Sequence, residues 1–235
     1  MSIDPKTCDI SVIIPTLNEE GVIGAVMAAL AGESGVEVIV ADGGSTDETV
    51  RVAAALGARI VMAPAGRGGQ LNRGAAIARG RILLFLHADT RLPKNFAAAI
   101  IGILARPGVV GGAFSFGVDG GQVGFRLLEF FVNLRSRFLR LPYGDQALFL
   151  DAAMFDRIGG YSEIPLFEDV DLVRRLGRKG RLVTAAAKVV TSARRWRHLG
   201  LLKTTLVNQV LLLGYFLGVS PFRLAVWYEK EKIRQ

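Results

Sequence analysis

Two β-branched runs open the regular part of the chain: Ile10 to Ile14, closed by Pro15, and Val36 to Ala41, closed by Asp42-Gly43-Gly44. Between them, Glu19 to Leu30 carries apolar residues at helical spacing behind the capping-type residues Thr16 and Asn18. The pattern predicts strand, helix, strand. It recurs as a helix over Thr46 to Leu56 ending at Gly57, a strand over Arg59 to Met62, a helix over Gly69 to Ala78 ending at Gly80, and a strand over Arg81 to Leu86. Four strands alternating with helices predict a parallel sheet with right-handed crossovers, and ligands of such sheets gather on the loops that follow the strands.

The second half is less regular. Phe96 to Leu104, Val123 to Leu139 and Glu168 to Leu176 read as helices, the last with acidic residues at its start; Gly111 to Phe116 and Ala147 to Leu150 read as strands. Leu199 to Leu217 is apolar almost all round and is followed by Ser220-Pro221 and a charged tail. Neither an internal repeat nor a low-complexity linker divides the chain. One α/β domain is expected over residues 1–235, with a nucleotide-binding half at about 1–95, an acceptor half at 96–198 and a helical segment at 199–235.

Composition narrows the class. With 235 residues, 51% hydrophobic and 21% charged, the chain excludes disorder, and 28 glycines imply many tight turns. The single cysteine, Cys8, rules out an internal disulfide framework and a cysteine-based zinc site, which favours a reducing cytoplasm. The opening MSIDPKTCD lacks the apolar core of a secretory signal. A net charge of +8 raises nucleic acid as a partner, but the arginines are dispersed and do not form a stripe interleaved with aromatics. Anionic small molecules or an anionic membrane surface fit better. Thr204 to Phe222 is uncharged and close to spanning length, yet Asn208, Gln209 and Pro221 interrupt it. Flanked by Arg194 to Lys203 and Lys230 to Arg234, it reads as a buried or interfacial helix, suited to peripheral contact with the inner face of the cell membrane or to homodimerisation.

Several strand ends carry candidate chemistry. ILLFLHADT, Ile82 to Thr90, is a nearly all-apolar run ending in His87 and Asp89. One carboxylate at such an edge suits magnesium or manganese, which take few protein ligands and complete their shell with phosphate and water. Capping of the next turn, with Pro93 starting a helix, is the plain alternative. In Pro15-Thr16-Leu17-Asn18-Glu19-Glu20, Asn18, Glu19 or the backbone could read a base edge. In Ala41-Asp42-Gly43-Gly44-Ser45-Thr46-Asp47, Asp42 could accept from a base nitrogen or a ribose hydroxyl, while Ser45 and Asp47 fit helix capping. Gly66-Arg67-Gly68-Gly69-Gln70-Leu71-Asn72, placed before a helix, offers backbone donors and Arg67 to phosphate, without the Gly-Lys-Ser/Thr ending of a P-loop. Glu168, Asp169 and Asp171 at a helix start supply carboxylates for base catalysis, or simply complement the helix dipole.

Taken in order, SVIIPTLNEE, VIVADGGSTDET, GRGGQLNRG, LLFLHADT, YGDQALFL and IPLFEDVDL resemble the family 2 glycosyltransferases, over roughly residues 10–180. The resemblance implies a GT-A fold, a Rossmann-like and mostly parallel sheet flanked by helices. It implies inverting transfer of a sugar from a nucleoside diphosphate, UDP favoured, to a small-molecule or lipid hydroxyl, with Mn2+ or Mg2+ at the diphosphate. On it, Pro15, Thr16, Asn18, Glu19 and Asp42 would hold the base and ribose, with Arg67 and Asn72 on the diphosphate side. Asp169, with Glu168 next, would be the base, and Asp145 and Gln146 would contact the acceptor. The family usually carries Asp-x-Asp where this chain has His87-Ala88-Asp89, so Asp89 transfers as the metal and ribose ligand while His87 is a metal ligand, a phosphate contact or a packed strand-end residue.

Ser192-Ala193-Arg194-Arg195-Trp196 is similar to the Gln-x-x-Arg-Trp element of processive relatives with the glutamine replaced, leaving Arg195 and Trp196 to close over the donor; His198 would complete a metal shell. GRGGQLN and LHADT are most similar to a bacterial subgroup associated with arsenosugar biosynthesis. A nucleotidyltransferase, or a catalytically silent module that binds nucleotide sugars or a membrane surface, remains as an alternative.

Overall fold

The computed structural model describes residues 8–138, 141–194, 196 and 200–233. The first half follows the predicted alternation: β1 (Ile10–Thr16), α1 (Glu20–Leu30), β2 (Val36–Asp42), α2 (Thr49–Ala55), β3 (Arg59–Met62), α3 (Arg67–Ala76) and β4 (Ile82–Phe85). β1 pairs in parallel with both β2 and β4, and β2 with β3. Ile23, Val26, Met27 and Leu30 recur at helical spacing and are the buried face of α1. The helix α3 begins at Arg67, so most of GRGGQLN is its first two turns and not a preceding loop. Its Gly74 allows close packing on β1, because a β-carbon there would lie 2.4 Å from the Ile13 side chain.

The second half completes a mixed sheet. It runs through β5 (Thr90–Arg91), α4 (Phe96–Leu104), β6 (Val109–Ser115), β7 (Val118–Asp119), α5 (Val123–Phe138), a 3-10 turn (Gly144–Gln146), β8 (Phe149–Asp151), α6 (Ala152–Arg157), α7 (Glu168–Gly177), β9 (Arg181–Lys188), β10 (Val190–Ser192), α8 (Leu201–Phe216) and α9 (Pro221–Ile233). The large sheet has the order β3-β2-β1-β4-β8-β6-β9, with β8 antiparallel to both neighbours; a small sheet, β5-β10-β7, lies beside it.

One apolar cluster packs α1 and α4 on one face of the large sheet, and a second packs α3, α6 and α7 on the other. A third joins Phe116, Val118, Phe125 and Ala193 at the start of α5, with Trp196 and Leu201 against it.

The C-terminal segment is two helices and not one apolar helix followed by a tail. The chain turns at Gly218, whose φ of 88° suits glycine, before Pro221 starts α9. Among the described residues no helix is long and apolar enough to cross a membrane.

Candidate active site

The carboxyl ends of β1 and β2 are braided together. Asp42 is fully buried; its Oδ1 accepts from the Gly44 and Ser45 N–H groups and its Oδ2 from the Thr16 and Ser45 hydroxyls. Burial alone would raise the Asp42 pKa, but the bonds from Ser45, Thr16 and Gly44 outweigh it and hold the carboxyl below its ordinary value. Four bonds fill the acceptor capacity of a carboxylate. The Asp42 carboxylate is therefore spent on shaping the loop, while the Thr16 hydroxyl, which gives its proton to Asp42, keeps only acceptor capacity for the nucleoside contact expected of it. Asn18, at φ 55°, accepts from the Thr46 N–H, and the Glu19 carboxylate pairs with Arg194 at 3.1 Å.

Gln70 adds a link that the sequence did not reveal. From α3 its amide donates to the carbonyls of Thr16 and Ala41, both at 2.8 Å, tying β1 to β2 beneath the loops.

Asn72, expected near the diphosphate, faces elsewhere. Its amide exchanges two hydrogen bonds with the Tyr161 backbone, at 2.8 and 2.9 Å, which uses its side chain to hold the 158–162 segment. Arg175 holds the same segment from α7 by donating to the carbonyls of Ile158 and Gly160.

Arg67, by contrast, reaches the centre. Its guanidinium lies 3.8 Å from the Glu168 carboxylate and 3.5 Å from His87 Nδ1. Glu168 and Asp169 begin α7 behind Phe167, whose φ of 68° turns the chain sharply into the helix. Burial pushes Glu168 up to about 7, the neighbouring Asp169 charge adding to it and Arg67 opposing it. Asp169 Oδ2 accepts from the Gly144 N–H at 2.6 Å, and Oδ1 from the Val170 N–H at 2.7 Å. Half of its acceptor sites remain for a substrate proton.

The two residues predicted to meet the acceptor separate. Gln146 is fully buried and spends its amide on Ser136, the Tyr143 N–H and the Phe114 carbonyl, so it pins the 3-10 turn and cannot reach a ligand. Asp145 lines a cavity of about 360 Å³ together with Arg67, Tyr143, Glu168, Asp169 and Trp196. Its Oδ1 is buried without a partner among the described residues, and burial, against the pull of Arg135 and with the push of Asp169, raises the Asp145 pKa to about 6. The Arg135 guanidinium sits 3.4 Å over the Tyr143 ring, with the Tyr143 hydroxyl also buried and, among the described residues, unpartnered. These two residues escaped the sequence reading, since nothing in the helical periodicity of Val123 to Leu139 marks Arg135 apart.

Asp89 follows the His87 turn and enters the small sheet. Its carboxylate accepts at 3.5 and 3.4 Å from the Thr90 and Thr191 hydroxyls, both through Oδ1, which leaves Oδ2 open among the described residues. No group of three or more His, Cys, Asp or Glu side chains is arranged to hold a metal ion by itself among the described residues. Trp196 stacks edge-on against Phe116 and Phe125 at the cavity wall. Arg195 and His198 lie outside the described residues.

Residues 11–162 match the model of the family described as Glycosyl transferase family 2. A PGL/p-HBAD biosynthesis glycosyltransferase of Mycobacterium tuberculosis is 32% identical over 86% of this chain and 82% of its own. The structure of glucosyl-3-phosphoglycerate synthase from Mycobacterium tuberculosis, with Mn2+, UDP and glucosyl-3-phosphoglycerate, is 26% identical and covers 77% of this chain and 70% of its own, at a TM-score of 0.56. A mannosyltransferase from Pyrobaculum calidifontis, in complex with GDP-Man and Mn2+, shares the fold at 20% identity and a TM-score of 0.65, covering 97% of this chain and 71% of its own. None of these descriptions mentions the arsenosugar subgroup. With its sheet edge, its Glu168-Asp169 pair and a family match over most of its length, the chain belongs to glycosyl transferase family 2.

Proposed function

We propose that the chain transfers a sugar from a nucleoside diphosphate, UDP-glucose first among candidates, to an acceptor hydroxyl with inversion at the anomeric carbon. The observation that carries this reading is Asp169, fixed by the Gly144 N–H at the wall of a cavity, with acceptor capacity to spare. Inversion by one in-line displacement needs a base beside the attacking hydroxyl, and Asp169 is the group placed to take that proton. Glu168 serves beside it by keeping Arg67 aimed at the diphosphate.

Pro15, which lines the crevice with His87 and Arg67, and the Asn18-Glu19 loop form the floor for the nucleoside. Trp196 closes the cavity from the other side. Mn2+ or Mg2+ fits this donor set as an ion that borrows its oxygens from the diphosphate, because Asp89 offers one open carboxylate oxygen and no protein cage is needed. Bound there, it would stabilise the charge of the departing diphosphate. The mycobacterial synthase with Mn2+ and UDP supports the same pairing. Membership of the family removes the ground for a nucleotidyltransferase.

The setting proposed is the cytoplasmic face of the membrane, touched by the exposed Leu213, Phe216, Leu217, Phe222 and Trp227 of the α8–α9 hairpin. The test of the reaction is release of UDP from UDP-glucose with Mn2+, and the anomeric configuration of any glycoside formed. The reading fails if Asp169→Asn releases UDP as fast as the parent, or if the product retains configuration.

A further inference from the structure

Beyond the polar cavity runs a second space, of about 590 Å³, between α5 and α8. Its walls are Leu127, Leu128, Phe131 and Val132 on one helix and Leu201, Leu212 and Phe216 on the other. The two spaces adjoin: Leu128, Val132, Arg135, Tyr143, Thr205 and Leu212 line both. The apolar space therefore lies directly beside the candidate active site and shares its wall.

The inner end differs in kind. There the Tyr143 hydroxyl, Asp145 Oδ1 and Arg135 Nη2 are all buried without hydrogen-bond partners among the described residues. Unpaired buried polar atoms of this sort are costly unless a ligand completes them. An apolar corridor that ends in open donors and acceptors is complementary to a molecule with the same division. The end its head would occupy carries both signs of charge, Arg67 and Arg135 against Asp145 and Asp169, so a neutral head that both donates and accepts hydrogen bonds matches it better than one of either charge.

We propose, resting on the glycosyl transfer just described, that the acceptor is an amphiphile whose hydrocarbon part lies between α5 and α8. Its uncharged hydroxylated head then meets Tyr143 and Asp145 and presents its hydroxyl to Asp169. Spaces of about 300–1,000 Å³ are usual for small-molecule sites, and the corridor falls within that range.

The test uses n-alkyl β-D-glucosides with methyl, butyl, hexyl and octyl chains, titrated calorimetrically below their micellar concentrations into the full chain with Mn2+ and UDP. Saturable binding at one per chain is expected. The dissociation constant should fall by about fourfold for each methylene that enters the corridor, the factor expected from its transfer out of water. Leu128→Trp, which fills the corridor, and Phe131→Ser, at an exposed position on its wall, should both flatten the series. Tyr143→Phe should weaken every member by a common factor of about five, the loss of one hydrogen bond. UDP titration of each variant reports whether the donor half is intact.

Equal affinity for the methyl and octyl glucosides, or a length dependence that survives both wall substitutions, overturns the inference. So does a flat series in a chain that sediments with phosphatidylglycerol vesicles, which would make the apolar face a membrane contact only. Failure of the parent to bind UDP with Mn2+ would instead sink the proposed reaction, and is read separately from the glucoside series.

Discussion

The backbone N–H of Gly144 donates to Asp169 Oδ2 at 2.6 Å, joining a loop before β8 to the first turn of α7. The absence of a side chain at 144 makes this contact possible, because a β-carbon there would stand 3.2 Å from both Asp169 Oδ2 and His87 Nε2. Gly144→Ala should therefore lower transfer by about tenfold or more, since misplacing a catalytic group by a fraction of an ångström to one ångström costs up to about 10²-fold. UDP affinity and the melting temperature should change little. Steady-state rates beside a thermal melt check it, and full activity in the alanine variant would show that Asp169 tolerates the shift.

Glu168 makes stability depend on pH in an unusual direction. Its pKa is about 7 in the folded chain against 4.5 for the ordinary group, so the folded state holds its proton while the unfolded chain gives it up. The contribution is fully present below about 4.5 and is lost as pH rises through about 7, by about 3 kcal/mol at most. Denaturant midpoints of the parent should fall across that window, and Glu168→Gln should remove much of the slope. A slope unchanged by the substitution would assign it to other groups, Asp145 first, which is raised to about 6 by burial.

Gln70 should matter more than its lack of chemistry suggests. Gln70→Ala removes one hydrogen bond from each of the Thr16 and Ala41 carbonyls, the Thr16 carbonyl keeping the Gly43 N–H at 2.9 Å, at about 1 kcal/mol for each bond lost. Both the melting temperature and UDP affinity should drop, because the same two strand ends carry the nucleoside floor. Gln70→Glu should be worse, placing a carboxylate against two carbonyl oxygens. An alanine variant with parental UDP affinity would uncouple the strand ends from donor binding.

Asp89→Asn should raise the Mn2+ concentration needed for half-maximal UDP release by about tenfold or more, while leaving the fold intact, since its Oδ1 contacts at 3.4 and 3.5 Å are long. Titration of the metal after chelation measures it directly. An unchanged Mn2+ requirement would move the ion away from the small sheet.

The first half was legible because each strand is a compact apolar run and each turn carries its own glycine or capping residue. Phe96–Leu104 was read with its observed ends for the same reason. Strand β9 escaped because Ala185, Ala186 and Ala187 lack the branched side chains that mark strands, and among the described residues its one strand partner is β6, from 70 residues earlier in the chain. Strands β5, β7 and β10 are two or three residues long and exist only through one another.

Of the residues singled out in the sequence, Arg67, Glu168 and Asp169 share one cavity and Asp89 stands at the start of the small sheet, but the sequence could not separate structural polar residues from open ones. Asn72 and Tyr161 are 89 residues apart, and Gln146 meets Phe114 across 32. Such partners have no local signature, so Asn72, Gln146 and Asp42 looked as available as Asp145.

One strand governs how this chain can be recombined. Although β8 comes from the second half, it lies between β4 and β6, in register Leu84 to Phe149 and Leu83 to Leu150. A chimaera that grafts residues 1–95 onto the remainder of a relative must reproduce that seam residue for residue, because a slip of one would turn Phe149 out of one apolar cluster and Leu150 out of the other. Residues 1–95 are thus not a module that can be exchanged on its own.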